Sequence, residues 1–237
     1  MRLLLDLKFR DPQLNLALDE AILSEVAQGR VPPTLRIWQN PRCVVVGRGQ
    51  DPEDEADVGY CRGHHIPVVR RASGGGAVYH YPGNLNFSLF LPLTGTWTNV
   101  HASRERITGL LAQTLQRRFS LPFEAREGSV FVGNQKVSGS AQLRDRALLH
   151  HGTLLLRPDV APASRILKAL QPGYSPKGVP SRAAPLGDLS TLTGQHIDVD
   201  EGIRVLLVAF RPLGVPALAE VSLREWALAH SFVSHGA

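Results

Sequence analysis

Lys136 stands in the run Gly133-Asn134-Gln135-Lys136-Val137-Ser138-Gly139-Ser140-Ala141, in a chain whose 26 basic residues include only three other lysines, Lys8, Lys168 and Lys177. Arginine supplies 22 of the 26 basic residues, so a lysine here points to work that a planar guanidinium does poorly. A compact ammonium fits as a point charge between close oxygens. Composition alone also accommodates a surface lysine on a hairpin. The second run with chemical potential is Arg70-Arg71-Ala72-Ser73-Gly74-Gly75-Gly76-Ala77-Val78-Tyr79-His80. Three successive glycines let the backbone approach a ligand and turn its amides toward an anion. Arg71 adds a fork suited to carboxylate or phosphate. A flexible hairpin tip is the plainer reading of the same glycines, although the apolar flanks put them at the edge of a core. No Gly-Lys-Ser/Thr follows, so this is not a Walker loop. A strand follows rather than a helix, so it is not a dinucleotide fingerprint either.

Immediately downstream, Asn84 and Asn86 alternate with apolar residues in Asn84-Leu85-Asn86-Phe87-Ser88 and share one face of a strand, where they suit either a polar ligand or a plain edge strand. Weaker candidates surround these two runs. His64-His65 and His150-His151 are adjacent pairs, and neighbours on a strand point to opposite faces, which suits no metal. There is no CxxC and no HExxH motif, so zinc is not indicated. Cys43 lies in an apolar strand and Cys61 near a helix end. Ser73 lacks the Gly-x-Ser-x-Gly context of a nucleophile elbow.

The elements that must position these runs read as an alternation of helices and strands. Asp11-Pro12 caps a helix in which Leu14, Leu18, Ile22 and Val26 recur every four residues, and Gly29 closes it. Strands are expected at Thr34–Trp38, Cys43–Val46, Ile66–Arg70, Ala77–His80, Asn84–Leu91 and Leu148–Leu156. Ser129–Val132 and Gln135–Ser138 flank Gly133-Asn134 as a hairpin. Helices are expected at Val100–Phe119, Ala163–Leu170, Val199–Phe210 and Leu223–Phe232, with a long proline- and glycine-rich loop from Pro172 to Gly187. With no repeat and no clean linker, one mixed α+β domain over 1–237 is the economical reading.

The 237 residues are 43% hydrophobic and 20% charged, ordinary for a globular protein. A net charge of +5 comes from scattered arginines, and aromatics are 6%. The basic-and-aromatic stripe expected of a nucleic-acid binder is missing. No window approaches the roughly 20 apolar residues of a membrane span, and the first residues do not read as a signal peptide. Two cysteines fit a reducing cytoplasm.

Seven ordered blocks then carry a resemblance. They are Asn15–Ala21, Leu35–Trp38, Val45–Gln50, Arg70–His80, Gly83–Ser88, Lys136–Ala141 and His151–Leu155. Together they resemble the lipoate–protein ligase A family, within the wider biotin/lipoate ligase and octanoyltransferase group. The resemblance implies an α+β catalytic domain with mixed and antiparallel sheets flanked by helices. It implies an ATP-dependent ligase that converts lipoate or octanoate to an acyl-adenylate, then passes the acyl group to a carrier lysine, with Mg²⁺ assisting. Arg71, the run Ser73-Gly74-Gly75-Gly76-Ala77-Val78-Tyr79-His80, and Asn84 would line the nucleotide and acyl site, together with Ser138 and Gly139. Lys136 would touch both the carboxyl oxygen and the α-phosphate. The implied partners are lipoyl carrier domains: E2 subunits of 2-oxoacid dehydrogenases and the glycine-cleavage H protein.

Three departures from the family pattern bear on the chemistry. His80-Tyr81 stands where the family often has histidine-aspartate. Arg126-Glu127 stands near an expected asparagine-aspartate, making Glu127 the candidate for Mg²⁺ or adenine. The sequence stops soon after the core, so a C-terminal accessory domain is expected from a second polypeptide or not at all. The rival within the fold is a cysteine-dependent octanoyltransferase or lipoyl amidotransferase. No cysteine occurs from Leu121 to Ala237, where such a nucleophile belongs, and this favours the ligase. A non-catalytic lipoyl-binding paralogue is the remaining alternative.

Overall fold

A computed structural model describes residues 1–235. The first half runs β1 (Arg2–Asp6), α1 (Pro12–Ala27), β2 (Thr34–Trp38), β3 (Cys43–Val46), α2 (Pro52–Glu55), α3 (Val58–Gly63), β4 (Val68–Arg70), β5 (Val78–His80) and β6 (Asn84–Pro92). Then come α4 (Val100–Phe119), β7 (Phe123–Arg126), β8 (Ser129–Val132), β9 (Gln135–Asp145) and β10 (Ala147–Leu155). The chain closes with α5 (Ala163–Ile166), α6 (Leu189–Thr193), α7 (Val199–Phe210), β11 (Ala217–Leu218) and α8 (Leu223–His235).

Eight strands form one mixed sheet in the order β11-β1-β2-β6-β10-β9-β8-β7, and β4-β3-β5 form a second. Strand β1 is parallel to both neighbours, while β6, β10, β9 and β8 pair antiparallel. Alternation along the strands decides what each face packs against. Leu85, Phe87, Leu89 and Leu91 of β6 meet Ile107, Leu111 and Leu115 of α4 and Leu206 and Phe210 of α7. On the other face Phe90 and Leu149 lie with Leu18, Ile22 and Val26 of α1 and Ala229 of α8. Strand β2 is buried at every position. Leu35 and Ile37 join the α4–α7 core, while Arg36 between them points to α1.

Helix α1 starts as its sequence demands. The Asp11 carboxylate accepts the N–H groups of Gln13 (2.9 Å) and Leu14 (3.0 Å), and Pro12 opens the helix. The Gly133-Asn134 turn joins β8 to β9, which continues to Asp145, well past the expected end. The helix expected over Ala163–Leu170 is a correction. Only Ala163–Ile166 is α-helical, because Leu167 turns extended and bridges to Ala56, followed by a 3₁₀ turn at Lys168–Leu170. Burial of Ile166 and Leu167 under the small sheet outweighs local helix preference. Among the described residues no helix is long and apolar enough to cross a membrane.

Candidate active site

A cavity of about 390 Å³ opens where the loop between β4 and β5 faces β9, β10 and the segment around Ser181. Arg71, buried beside it, shapes that loop. Its Nη2 donates to the carbonyls of Gly74 (2.7 Å) and Gly76 (2.8 Å), Nη1 to that of Val45 (3.2 Å), and Nε to Ser73 Oγ (3.0 Å). Burial lowers its pKa to about 10, so it stays cationic at neutral pH. Arg70 does the same for the neighbouring turn, donating to the carbonyls of Gly47, Arg48 and Gln50. The two turns then touch. A Cβ on Gly47 would lie 2.0 Å from the Gly75 carbonyl oxygen, so only glycine lets them meet. Ser181 ties the loop to the later segment by accepting the Ala77 N–H at 2.8 Å.

Lys136 comes to the cavity through an irregularity in its strand. Pairing between β8 and β9 runs Ser129↔Gly139 and Val130↔Ser138, then jumps to Phe131↔Lys136, so Val137 is a bulge. In unbroken pleat Lys136 would share a face with Ser138. The bulge instead carries its chain across Gly139, where a Cβ would lie 2.8 Å from Cε and 2.9 Å from Nζ. The Lys136 backbone is held on its free side by Pro185 (2.8 Å) and Gly187 (3.0 Å). Its ammonium has no ion-pair or hydrogen-bond partner among the described residues, and burial followed by the Arg71 charge holds its pKa below the ordinary 10.5. Gly139→Ala is therefore expected to displace the lysine while sparing the fold, because the obstacle is the end of a flexible chain. The rate of the reaction proposed below then falls on the order of 10²-fold with little change in melting temperature.

A chain of buried polar groups runs inward from the cavity wall, where His151 is one of the lining residues. Ser73 Oγ is 2.6 Å from His151 Nε2, and His151 Nδ1 is 3.4 Å from Asp19 Oδ2. The same carboxylate accepts from Arg36 Nη1 at 2.7 Å and from the Ser88 hydroxyl at 2.6 Å. Burial pushes the Asp19 carboxyl up, but His151, Arg36 and Ser88 outweigh it and hold it below its ordinary value. The order serine, histidine, aspartate is that of an activated nucleophile. Ser73, however, is 1% exposed, takes the Arg71 Nε–H, and is outside the cavity lining. It is a strut between the glycine loop and β10. His80 lines the cavity, and burial, with Arg71 and His151 nearby, lowers it to about 3, so it is neutral.

Of the residues singled out in the sequence, the structure brings Arg71, Gly74, Gly75, Gly76, Ala77, Val78, His80, Lys136 and Gly139 to the cavity. Tyr79 points away, as strand alternation requires, and donates to Asp159 at 2.7 Å. Ser138, within β9, is buried and does not line the cavity. Asn84 lies behind Asn86, donating to its Oδ1 at 2.9 Å, and Asn86 is the one at the cavity, with an Nδ2 that has no partner among the described residues. Arg104 and Arg182 join Arg71 and Lys136 around the cavity, where Glu127 is the single carboxylate among the described residues and pairs with Arg182. The charge balance suits an anion. The sequence reading assigned no role to Arg104, Arg182, Arg36 or Asp19. For Arg36 a signal existed: a charge in the middle of an apolar strand. The described residues hold no cluster of three or more acidic, histidine or cysteine side chains placed for a metal.

The sequence matches the lipoyl protein ligase A/B catalytic domain over residues 11–211. It is 36% identical over 200 residues to a protein of Aeropyrum pernix named "Putative lipoate-protein ligase A", covering 82% of this chain and 73% of that one. Lipoate–protein ligase 1 of Staphylococcus aureus is 31% identical over 201 residues, 83% of this chain but 59% of the longer relative. Octanoyltransferase LipM of Clostridioides difficile is 30% identical over 210 residues, 79% and 77% of the two chains. A crystal structure of lipoate-protein ligase A bound with ATP superposes with a TM-score of 0.81 at 25% identity, over 99% of this chain and 95% of that one. The bipartite lipoate protein ligase of Thermoplasma acidophilum, studied with its E2 lipoyl domain, gives 0.80 at 25% identity, over 99% and 92%. The matched stretch takes in α1, the glycine loop, the lysine hairpin and α7, and with them every element that builds the cavity: the chain belongs to the lipoyl protein ligase A/B catalytic domain family.

Proposed function

We propose that this chain is an ATP-dependent lipoate–protein ligase, acting as one catalytic domain over 1–237. A lipoate or octanoate carboxylate oxygen bonds to the α-phosphorus of ATP, the bond to the β-phosphate oxygen breaks, and pyrophosphate leaves. A carrier lysine amine then attacks the acyl carbon, AMP departs, and the amine loses its proton as the amide forms. The observation that carries this reading is the unpaired Lys136 ammonium. A half-buried charge left without an anion is costly, and an anionic ligand removes that cost. Two anions must meet in the first step, and an ammonium between them offsets the repulsion.

The supporting groups fit the same chemistry. Neutral His80 and the unpartnered Asn86 amide are uncharged groups at the wall able to meet oxygens. Glu127, the one carboxylate lining the cavity among the described residues, would give an oxygen to Mg²⁺ once parted from Arg182, and the metal would offset phosphate charge there. The carriers are lipoyl domains of E2 subunits and the glycine-cleavage H protein. A separate accessory polypeptide is proposed from the two-part Thermoplasma relative. The setting proposed is the cytoplasm.

The resemblance to an octanoyltransferase favours a second reading, acyl transfer between carriers through a cysteine thioester. Against it, Cys43 and Cys61 are both buried and neither lines the cavity. Burial pushes the Cys43 thiol up to about 12, the reverse of what a nucleophile needs. Purified protein is expected to catalyse lipoate-dependent exchange of pyrophosphate into ATP. Octanoyl transfer from acyl carrier protein without ATP, in the absence of any exchange, would favour the transferase.

A further inference from the structure

Arg36 is fully buried in the middle of β2, where its guanidinium has donors and no acceptor. That one-sidedness dictates the direction of every hydrogen bond downstream. Nη2 donates to Asn15 Oδ1 at 2.7 Å, so the Asn15 Nδ2 faces outward, to Asn40 Oδ1 at 2.7 Å and the Gln39 carbonyl at 3.2 Å. Asn40 must then present its own Nδ2 to His80 Nδ1, 3.2 Å away. A ring nitrogen that accepts a hydrogen bond carries no proton, so a neutral His80 keeps its proton on Nε2. Nε2 has no protein partner among the described residues, and His80 lines the cavity with Lys136 and Asn86. The other arm of Arg36 works in the opposite sense. Asp19 accepts from it and from His151 Nδ1–H, which leaves the His151 Nε2 to accept from the Ser73 hydroxyl.

We propose that Arg36 is a positioning residue which, through Asn15 and Asn40, holds His80 as the Nε2–H tautomer, a neutral donor to an acyl carboxylate or α-phosphate oxygen. The identity of that oxygen rests on the adenylation reading above; the tautomer does not. A neutral donor adds direction to the charge of Lys136. A bare Nε2 would turn a lone pair toward the same oxygen and repel it.

The test reads the ring protons directly. Protein labelled with ¹⁵N-histidine is compared by two-bond ¹⁵N–¹H correlation as wild type, Arg36→Met and Asn15→Asp, with His80 assigned by His80→Asn. Wild type is expected to show Nε2 protonated and Nδ1 bare. Asn15→Asp keeps the Arg36 ion pairs but makes position 15 acceptor-only, so Asn40 turns over and the His80 proton moves to Nδ1. With that move, kcat for pyrophosphate exchange is expected to fall about 10²-fold, the scale of one lost oxyanion donor, with a smaller change in KM for ATP. Arg36→Met is expected to mix the two tautomers; if it does not fold, Asn15→Asp carries the test alone. A wild-type proton on Nδ1, or an unmoved proton in Asn15→Asp, overturns the relay. A moved proton with unchanged kcat overturns the donor role. Absence of exchange in wild type, with the tautomers as expected, defeats the adenylation reading and leaves the relay standing.

Discussion

Lys136→Ala is expected to remove pyrophosphate exchange by at least 10²- to 10³-fold, about the cost of deleting one oxyanion donor or more. On the adenylation proposed above, the lost group is the charge between two anions in the transition state, so kcat is expected to fall more than substrate affinity. Melting temperature is expected to hold or rise, because an unpaired, half-buried ammonium costs the apo protein stability. Lys136→Arg is expected to fail as a replacement. The chain lies across the bare Gly139 Cα, and a planar fork is broader than the ammonium that fits there. The pH dependence has a definite sign. The reaction needs the charged form and burial lowers the lysine pKa, so exchange at low substrate declines on the alkaline side below the ordinary 10.5. Exchange that survives in Lys136→Ala would overturn the role of Lys136 while leaving adenylation standing.

Arg36→Met carries the largest expected effect on folding. The guanidinium bonds Asp6 Oδ2 at 2.8 Å and Asp19 Oδ1 at 2.7 Å, and it is completely buried. Removing one partner of a buried ion pair leaves an uncompensated charge, at a cost of about 3–5 kcal/mol. For a chain of this size each kcal/mol is worth roughly 2–4 °C in melting temperature, so a fall of about 6–20 °C is expected by thermal denaturation. Arg36→Lys, which keeps the charge and loses the fork, is expected to recover part of it. Asp19 gives the pH signature. Its folded pKa is depressed below the ordinary 3.8, so the stability it contributes is present above that value and is lost as the pH falls through the folded pKa. The gap between wild type and Arg36→Met therefore narrows on acidification. A gap that stays constant from neutral pH to below the carboxylate range would exclude Asp19 as the partner that matters.

Local signals announced much of this architecture. Asp11-Pro12 and the four-residue apolar spacing specify α1 because a cap and a stripe are properties of neighbouring residues. Strands β2 and β3 and helices α4 and α7 appear where their patterns put them, for the same reason. Edge elements were not legible. Strand β11 is two residues long and exists because Met1 accepts the Ala217 N–H and Leu3 accepts that of Ala219 just beyond it. Strand β7 has exposed residues at three of its four positions, so its burial pattern says little. The helix over Ala163–Leu170 broke off early because Leu167 gained a partner far away in sequence, at Ala56. Propensity is decided by near neighbours, and such partners are not among them.

The same division runs through the site. The residue types of the glycine loop and the lysine hairpin supplied the ingredients by themselves, a close backbone and a point charge, and the ordered blocks around them supplied the family. Tertiary structure decided the rest. It placed a bulge at Val137 that sends Lys136 over Gly139, turned Tyr79 outward and His80 inward, and put Asn86 rather than Asn84 at the cavity. It also brought Arg36, Asn15 and Asn40 into one line ending at His80. Direction and partnership belong to three-dimensional neighbours, and a chain read in order records which groups are present but not which of them will meet.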